Sequence, residues 1–495
     1  MTISTSRRRF LAASLAGSAA AAVSTAASAK AAASGKSGKT LEYDVVIVGA
    51  GCAGLSAAIE AADRGAKPVI LEKCFSPMGN TIYAGGNFNA ACTWVQKRDG
   101  VKDSLDSFFH DMVEVSRHRC DMDLMKMYCE ESAGVIQWLT DRCGVKWKKL
   151  DIQIPPMLGR CHEVTGPIQP VGSQLVDDMM KQLDKLGVPI LTSHKVIEVM
   201  HDDMLRCTGV KCLTPKGLVT IRAKGGVVMC TGGFSNNKGL ITQYMGGAVA
   251  WIPLRGSAVT TGENITLLRD FFPQYVNMDQ YHAGPIHAET RANPSNMVNF
   301  GICVNPQGRR YVDEANTYVY VGQNTPKLVP ENRAFIILDS KVRNEPIVDK
   351  RFKRYQKARA PIFQANTIEE LAKQCGLPAE TLAATVKEYN EACRAGKGST
   401  LKVKATMEKP NIIDKPPFYG FEFSGGLTTT FGGPKINTKA EVLNVDGKAV
   451  PGLYAAGNAI GGLFYDNYLD GSQLVAAVIW GRVAAQECAK RAKAA

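Results

Sequence analysis

No apolar run in this chain is long enough to cross a bilayer: the most alanine-rich stretch, residues 10–29, is short and diluted by serine, which argues against stable membrane insertion. None of the 14 cysteines falls into a zinc or iron–sulfur spacing, and no metal site is expected. Cys161-His162 has Leu158 where a C-x-x-C-H motif needs its first cysteine, so the chain carries no c-type haem of its own. Aromatic residues make up 7% of the chain. No basic helix interleaves them with charge, and no helix-turn-helix or zinc-finger spacing is present, which excludes nucleic acid as a partner. Nor do the cysteines form a disulfide framework; most are expected to be buried small hydrophobes, as Cys230 and Cys303 within apolar strands suggest.

What is present begins with a leader. Ser6-Arg7-Arg8-Arg9-Phe10-Leu11 precedes a weakly apolar Ala-rich stretch ending in the small-residue cleavage site Ala27-Ser28-Ala29. Residues 1–29 therefore resemble a twin-arginine signal peptide, followed by a flexible linker over 30–40, and the mature protein is expected in the periplasm. Cleavage would remove three arginines and no acid, lowering the formal charge from +13 to +10. The chain stays basic, a balance suited to anionic small molecules or acidic protein partners.

The strongest local pattern follows. Asp44-Val45-Val46-Ile47-Val48 runs into Gly49-Ala50-Gly51-Cys52-Ala53-Gly54, then an apolar helical pattern, then Val69-Ile70-Leu71-Glu72. This is a dinucleotide-binding βαβ unit. Gly49 allows the turn, Gly51 the approach of a pyrophosphate, and Gly54 close helix–strand packing, while Glu72 is placed to accept from ribose hydroxyls. The pyrophosphate rests on the helix N-terminus.

Further glycine turns recur along the chain. Met78-Gly79-Asn80-Thr81-Ile82-Tyr83-Ala84-Gly85-Gly86 stands where a long dinucleotide continues past its pyrophosphate; Thr231-Gly232-Gly233 ends a buried strand, and Gly452 to Gly457 ends another. Residues 104–145 read as helical, a helix is expected from Glu263 to Phe271, and an apolar helix runs from about Gly471 to Lys493. Residues 281–428 have a different texture, mixed and highly charged. The expected class is α/β: a discontinuous Rossmann-type dinucleotide-binding domain over 41–280 and 429–495, with an inserted α+β capping domain over 281–428.

Together, G-A-G-C-A-G, T-G-G-F, G-L-Y-A-A-G and the closing helix are similar to the FAD-dependent fumarate reductase and succinate dehydrogenase flavoprotein superfamily. The resemblance implies noncovalent FAD, since Asn80 precedes Thr81 where a covalent flavin histidine would stand. It adds Ala53, Lys73, Asn80, Thr81, Gly85, Gly86, Val196, Thr231, Gly232, Gly233, Gly457, Asn458, Ser472 and Leu474 to the residues expected around the cofactor. It implies a proton-donating Arg310, in Gly308-Arg309-Arg310-Tyr311-Val312-Asp313-Glu314, and a substrate-binding His282. An arginine can donate a proton only in a closed, dehydrated site with other cations nearby. His287 is expected to be structural.

The departures narrow the substrate. Gly426-Leu427-Thr428-Thr429-Thr430-Phe431-Gly432-Gly433 replaces a second substrate histidine, Tyr468 replaces a second carboxylate-clamping arginine, the proton-relay positions align with Pro294 and Met297, and Asn458 replaces an acid. Fumarate is thereby disfavoured, and the C-terminal motif resembles the tricarballylate dehydrogenase branch. The expected activity is reduction, or desaturation, of a C–C bond conjugated to a carboxylate or carbonyl, with Thr429 or Tyr468 orienting the activating group. In a steroid-type or phenylpropanoid-type enzyme Tyr468 would instead be the acid/base. A flavin electron shuttle is the nonenzymatic reading. A c-type cytochrome or quinol-linked protein is the expected electron donor.

Overall fold

The computed structural model describes residues 39–150, 159–396 and 411–495. The leader lies outside the described residues, as does the linker except for Lys39 and Thr40, which already belong to the first strand.

That strand, β1 (Lys39–Val48), leads through the glycine turn into α1 (Cys52–Asp63) and β2 (Pro68–Leu71). After the short helix Trp94–Asp99 come α2 (Leu105–Val115) and α3 (Met122–Cys143). The Asp121 side chain caps α3 by accepting from the Leu124 amide at 3.3 Å, and Gly144 ends it in the left-handed region. Then come α4 (Val171–Leu186), β3 (Ile190–Leu191), the hairpin β4 (Lys195–His201) and β5 (Cys207–Thr214), and β6 (Gly217–Met229). The helix expected from Glu263 to Phe271 is only one turn, Glu263–Thr266, and a separate 3₁₀ turn at Arg269–Phe271. The turn closes on Phe272 at φ 50°, which no continuing helix can accommodate.

The inserted segment builds its own antiparallel sheet. It comprises β7 (Tyr281–Ile286), β8 (Ile302–Val304), α5 (Tyr318–Leu328), β9 (Ala334–Leu338), α6 (Pro346–Ala358), β10 (Phe363–Ala365), α7 (Ile368–Cys375), α8 (Ala379–Arg394) and β11 (Phe418–Thr430). The strand order is β7-β11-β9-β8, with β10 also on β11. Strand alternation divides its apolar residues between two cores: Ala334, Ile336 and Leu338 face α6, whereas Phe335 and Ile337 face α7 and α8. On α6, Val348, Phe352 and Tyr355 are buried at helical spacing. Its Lys350, Arg351 and Arg354 are thereby left to face the other lobe.

The chain then returns to the first lobe through β12 (Glu441–Leu443), β13 (Ala449–Ala455) and α9 (Ser472–Ala494). The main sheet runs β12-β13-β6-β1-β2-β3, with β13, β6, β1, β2 and β3 parallel. Its centre is the apolar run Val45–Val48, fully or nearly fully buried between layers of helix. Two glycines make the first turn possible. Gly49 sits at φ +108° with the Cys230 carbonyl oxygen 2.5 Å from where a Cβ would stand, and at Gly54 a Cβ would stand 1.9 Å from the Gly49 carbonyl oxygen. Among the described residues no helix is long and apolar enough to cross a membrane, and all 14 cysteines are unbridged, with Cys230 and Cys303 buried.

Candidate active site

A cleft of about 830 Å³ extends from the carboxyl ends of the parallel strands to the inner face of the inserted domain. At its first end the N-terminus of α1 opens into it between Gly49, Gly51 and Ala53. The Cys52 amide there is satisfied by Thr81 Oγ1 at 3.0 Å. Gly51 leaves open space on the cleft side, since a Cβ would meet only Thr81 Oγ1, at 3.6 Å. Glu72, 7% exposed, accepts from the Ala50 amide at 3.0 Å and the Cys74 amide at 2.9 Å, so its carboxylate is oriented before any ligand arrives. Lys73 is held by Glu263 at 2.6 Å and Thr261 at 2.8 Å. Asn80 bridges the loops further in, accepting from the Ser257 amide at 2.6 Å and donating to the Thr428 carbonyl at 3.1 Å.

Beyond Asn80 the cleft becomes cationic and aromatic. His282, on β7, is 2% exposed and neither ring nitrogen has a partner. Burial, reinforced by the Arg255 charge, holds it well below the ordinary histidine range, so the ring is neutral. It lies 5.0 Å from the Tyr468 ring and 6.0 Å from the Tyr318 ring. Arg255 donates to Thr428 Oγ1 at 3.0 Å and lies 5.6 Å from the Tyr318 ring centre, but its Nε is buried without a partner. Arg351 Nε is likewise enclosed and unsatisfied. Burial and the neighbouring Arg354 and Arg255 charges pull the Arg351 guanidinium down to about 10. Burial pushes the Tyr318 phenol up to about 12. Unsatisfied buried donors of this kind are costly unless a ligand meets them.

Residues 44–474 match the family described as FAD binding domain. The chain is 31% identical to the NADH:fumarate oxidoreductase of Klebsiella pneumoniae, over 91% of this chain and 48% of that protein. It is 30% identical to the vinyl phenol reductase of Lactiplantibacillus plantarum, over 86% of this chain and 91% of that one. The solved open conformation of a flavocytochrome c3 fumarate reductase superposes with a TM-score of 0.76 at 28% identity, over 94% of this chain and 80% of that one. The chain belongs to the fumarate reductase and succinate dehydrogenase flavoprotein family of FAD-dependent oxidoreductases. It spans about half the length of the Klebsiella relative.

The flavoprotein's cleft fits FAD on its own terms. A helix N-terminus, an oriented Glu72 and the side-chain-free surface at Gly51 are the parts a pyrophosphate and ribose need. Val196, Thr231, Gly232, Gly457, Asn458 and Leu474 line the same cleft, as do Lys73, Asn80, Thr81 and Gly85.

Several expected residues stand elsewhere. Gly54, Gly86 and Gly233 do not line the cleft but are packing positions; Cβ atoms at the latter two would meet Val171 Cγ1 at 2.5 Å and Thr430 Oγ1 at 2.1 Å. Ser472 is fully buried and donates to the Leu469 carbonyl at 2.6 Å. Thr429 pairs with His282 across β7 and β11, but its hydroxyl faces away and accepts from Asn458 at 2.8 Å. Thr428, its neighbour, is the threonine in the cleft: the ladder shifts register between His282, opposite Thr429, and Ala283, opposite Leu427, and Thr428 is the unpaired residue of that bulge. Arg310 stands elsewhere too: its side chain, 5% exposed, is ion-paired to Glu314 and lies 4.9 Å from the Tyr389 ring centre. It is not among the residues lining the cleft: it forms an isolated bridge to Val304, at the end of β8, and its side chain is enclosed with Glu314 inside the inserted domain. His287 accepts from the Thr290 amide at 3.2 Å, a turn-holding role.

The residues that sequence reasoning missed are Arg255, Tyr318, Arg351 and Arg354. Only Tyr318 carried a local signal, as the first residue after the Thr317 cap of α5.

Proposed function

We propose that the protein reduces, or in reverse desaturates, a carbon–carbon bond conjugated to a carboxylate or carbonyl. One observation carries this reading: unpartnered donors on His282, Arg255 and Arg351 converge with the Tyr318 phenol on the same cleft that accepts the cofactor. When bound, FAD supplies the hydride chemistry at the β-carbon. Arg255 and Arg351 hold the activating carboxylate by charge-assisted hydrogen bonds, drawing electron density from the double bond. His282, neutral, fixes the same group as a hydrogen-bond partner without adding charge. The Tyr318 hydroxyl delivers a proton to the α-carbon, and the Arg255 guanidinium, 5.6 Å from that ring, stabilises the phenolate left behind. Tyr318 thus takes the role the sequence assigned to Arg310. Tyr468 packs on His282 and, at 5.6 and 5.5 Å, on Phe431 and Phe464, which favours a packing role over acid/base chemistry.

Relatives named for fumarate and vinyl phenol support this reaction class. The twin-arginine motif supports export to the periplasm after FAD is loaded. Lacking C-x-x-C-H, the chain would draw electrons from a separate c-type cytochrome or a quinol-linked protein, with its basic surface aiding the encounter.

The test is anaerobic. The holoprotein is reduced with a viologen dye and offered enoates, polycarboxylates, aryl acrylates and ketosteroids; an unsaturated acid should reoxidise the flavin and appear as its saturated product. No reoxidation by any of them would leave the electron-shuttle reading in its place.

A further inference from the structure

The cleft is not uniformly basic. Four carboxylates line it, and three are engaged away from a substrate: Glu72 with backbone amides, Glu263 with Lys73, and Glu163 with Lys148 at the mouth. The fourth, Asp470, stands in the loop leading into α9, among the residues of the substrate end. One of its oxygens accepts from Asn87 Nδ2 at 3.0 Å. Its charge acts on Tyr318 and Tyr468 and is felt by Arg351 across the cleft. Gly471, at φ +92°, fixes the loop, since a Cβ there would stand 2.8 Å from the Asn87 and Phe88 backbone. At this end one carboxylate, Asp470, faces cations from both lobes: Arg351 and Arg354 from α6 of the inserted domain and Arg255 from the nucleotide lobe.

Burial pushes the Asp470 carboxyl up, against Asn87, Arg255, the Gly471 backbone and Arg351, which favour its ionised form; a dicarboxylate filling this space would put its second anion beside it, a like-charge contact that costs binding. A carboxylate has about four acceptor sites, more than Asn87 and the Gly471 backbone together fill, so Asp470 can also receive a ligand donor. The wall between is aromatic, with the His282 ring packed on Tyr468 at 5.0 Å and on Tyr318 at 6.0 Å, a surface against which a planar ring can lie. We propose that the substrate is a monocarboxylic enoate whose far end is a planar ring bearing a hydrogen-bond donor, the carboxylate meeting Arg255 and Arg351 and the donor meeting Asp470. This rests on the reductase reading above and names its substrate class and a specificity residue.

The holoprotein is tested with cinnamate, 4-hydroxycinnamate and fumarate. Binding is read from the perturbation of the oxidised flavin spectrum, and turnover from reoxidation of the dye-reduced enzyme. We expect 4-hydroxycinnamate to bind at least about tenfold more tightly than cinnamate, with fumarate weakest, because a site built around a hydroxyl rejects the analogue lacking it. Asp470→Asn should retain part of that preference and Asp470→Gly should erase it, while Asp470→Gly should tighten fumarate. Equal affinity for the two aryl acids in the unsubstituted protein, or a preference untouched by Asp470→Gly, would overturn the proposal while leaving the reductase reading intact. Failure of every enoate to reoxidise the flavin would instead remove the reading on which it rests.

Discussion

Tyr318 and Arg310 show how much a few ångströms of placement decide. Both are cap residues with chemistry suited to proton transfer, yet only Tyr318 opens on the cleft. Tyr318→Phe should therefore lower turnover by about 10²–10⁴-fold, the range of a lost general acid, in a dye-linked assay, with a smaller effect on substrate binding. Arg310→Met should do the opposite. Removing one partner of its enclosed pair with Glu314 should cost about 3–5 kcal/mol of stability in denaturant unfolding, with turnover retained in the folded fraction. His282 gives a pH prediction. Its folded value is depressed, so below about 6.5 the unfolded chain binds a proton that the native ring refuses, and stability falls as pH falls. Unfolding curves between about pH 7.5 and 5.5 should show that slope, and His282→Gln should remove its share.

Among the elements, α1 and β11 were legible to different degrees. The turn into α1 was readable because its glycines answer local demands: Gly54 meets the Gly49 carbonyl five residues away. Gly54→Ala should displace α1 from the sheet and sharply lower the flavin content of purified protein, measured by the ratio of visible to ultraviolet absorbance. On β11 the sequence located the right segment but selected Thr429 over Thr428, because regular pairing with His282 favours Thr429 and nothing in the sequence signals the bulge that turns Thr428 to the cleft. Arg255, Arg351 and Arg354 were invisible for a different reason. They stand on separate elements, the loop before β7 and the helix α6, and meet only after the inserted domain folds over the nucleotide lobe. The amphipathic pattern of α6 identifies its buried face, but not which lobe its basic face approaches.

Across the whole molecule, the nucleotide lobe supplies oriented, mostly backbone-anchored contacts together with Arg255, and the inserted domain adds Arg351 and Arg354. The domain order was readable from recurring glycine turns that a long dinucleotide requires, although the inserted sheet keeps β11 until Thr430, two residues past the expected boundary. A cationic cleft shared between lobes makes capture of an anionic substrate salt-sensitive. Raising ionic strength from about 0.01 to 0.15 M shortens the screening length from about 30 to 8 Å, and KM for an anionic substrate should rise accordingly in steady-state assays. The central claim is that this cleft reduces an activated double bond with Tyr318 as proton donor. Its most direct test is single-turnover reoxidation of dye-reduced holoprotein by an unsaturated carboxylic acid, comparing the unsubstituted chain with Tyr318→Phe. Stoichiometric saturated product is expected, at a rate at least about 10²-fold slower in the variant; an equal rate in both proteins would rule out Tyr318 as the proton donor.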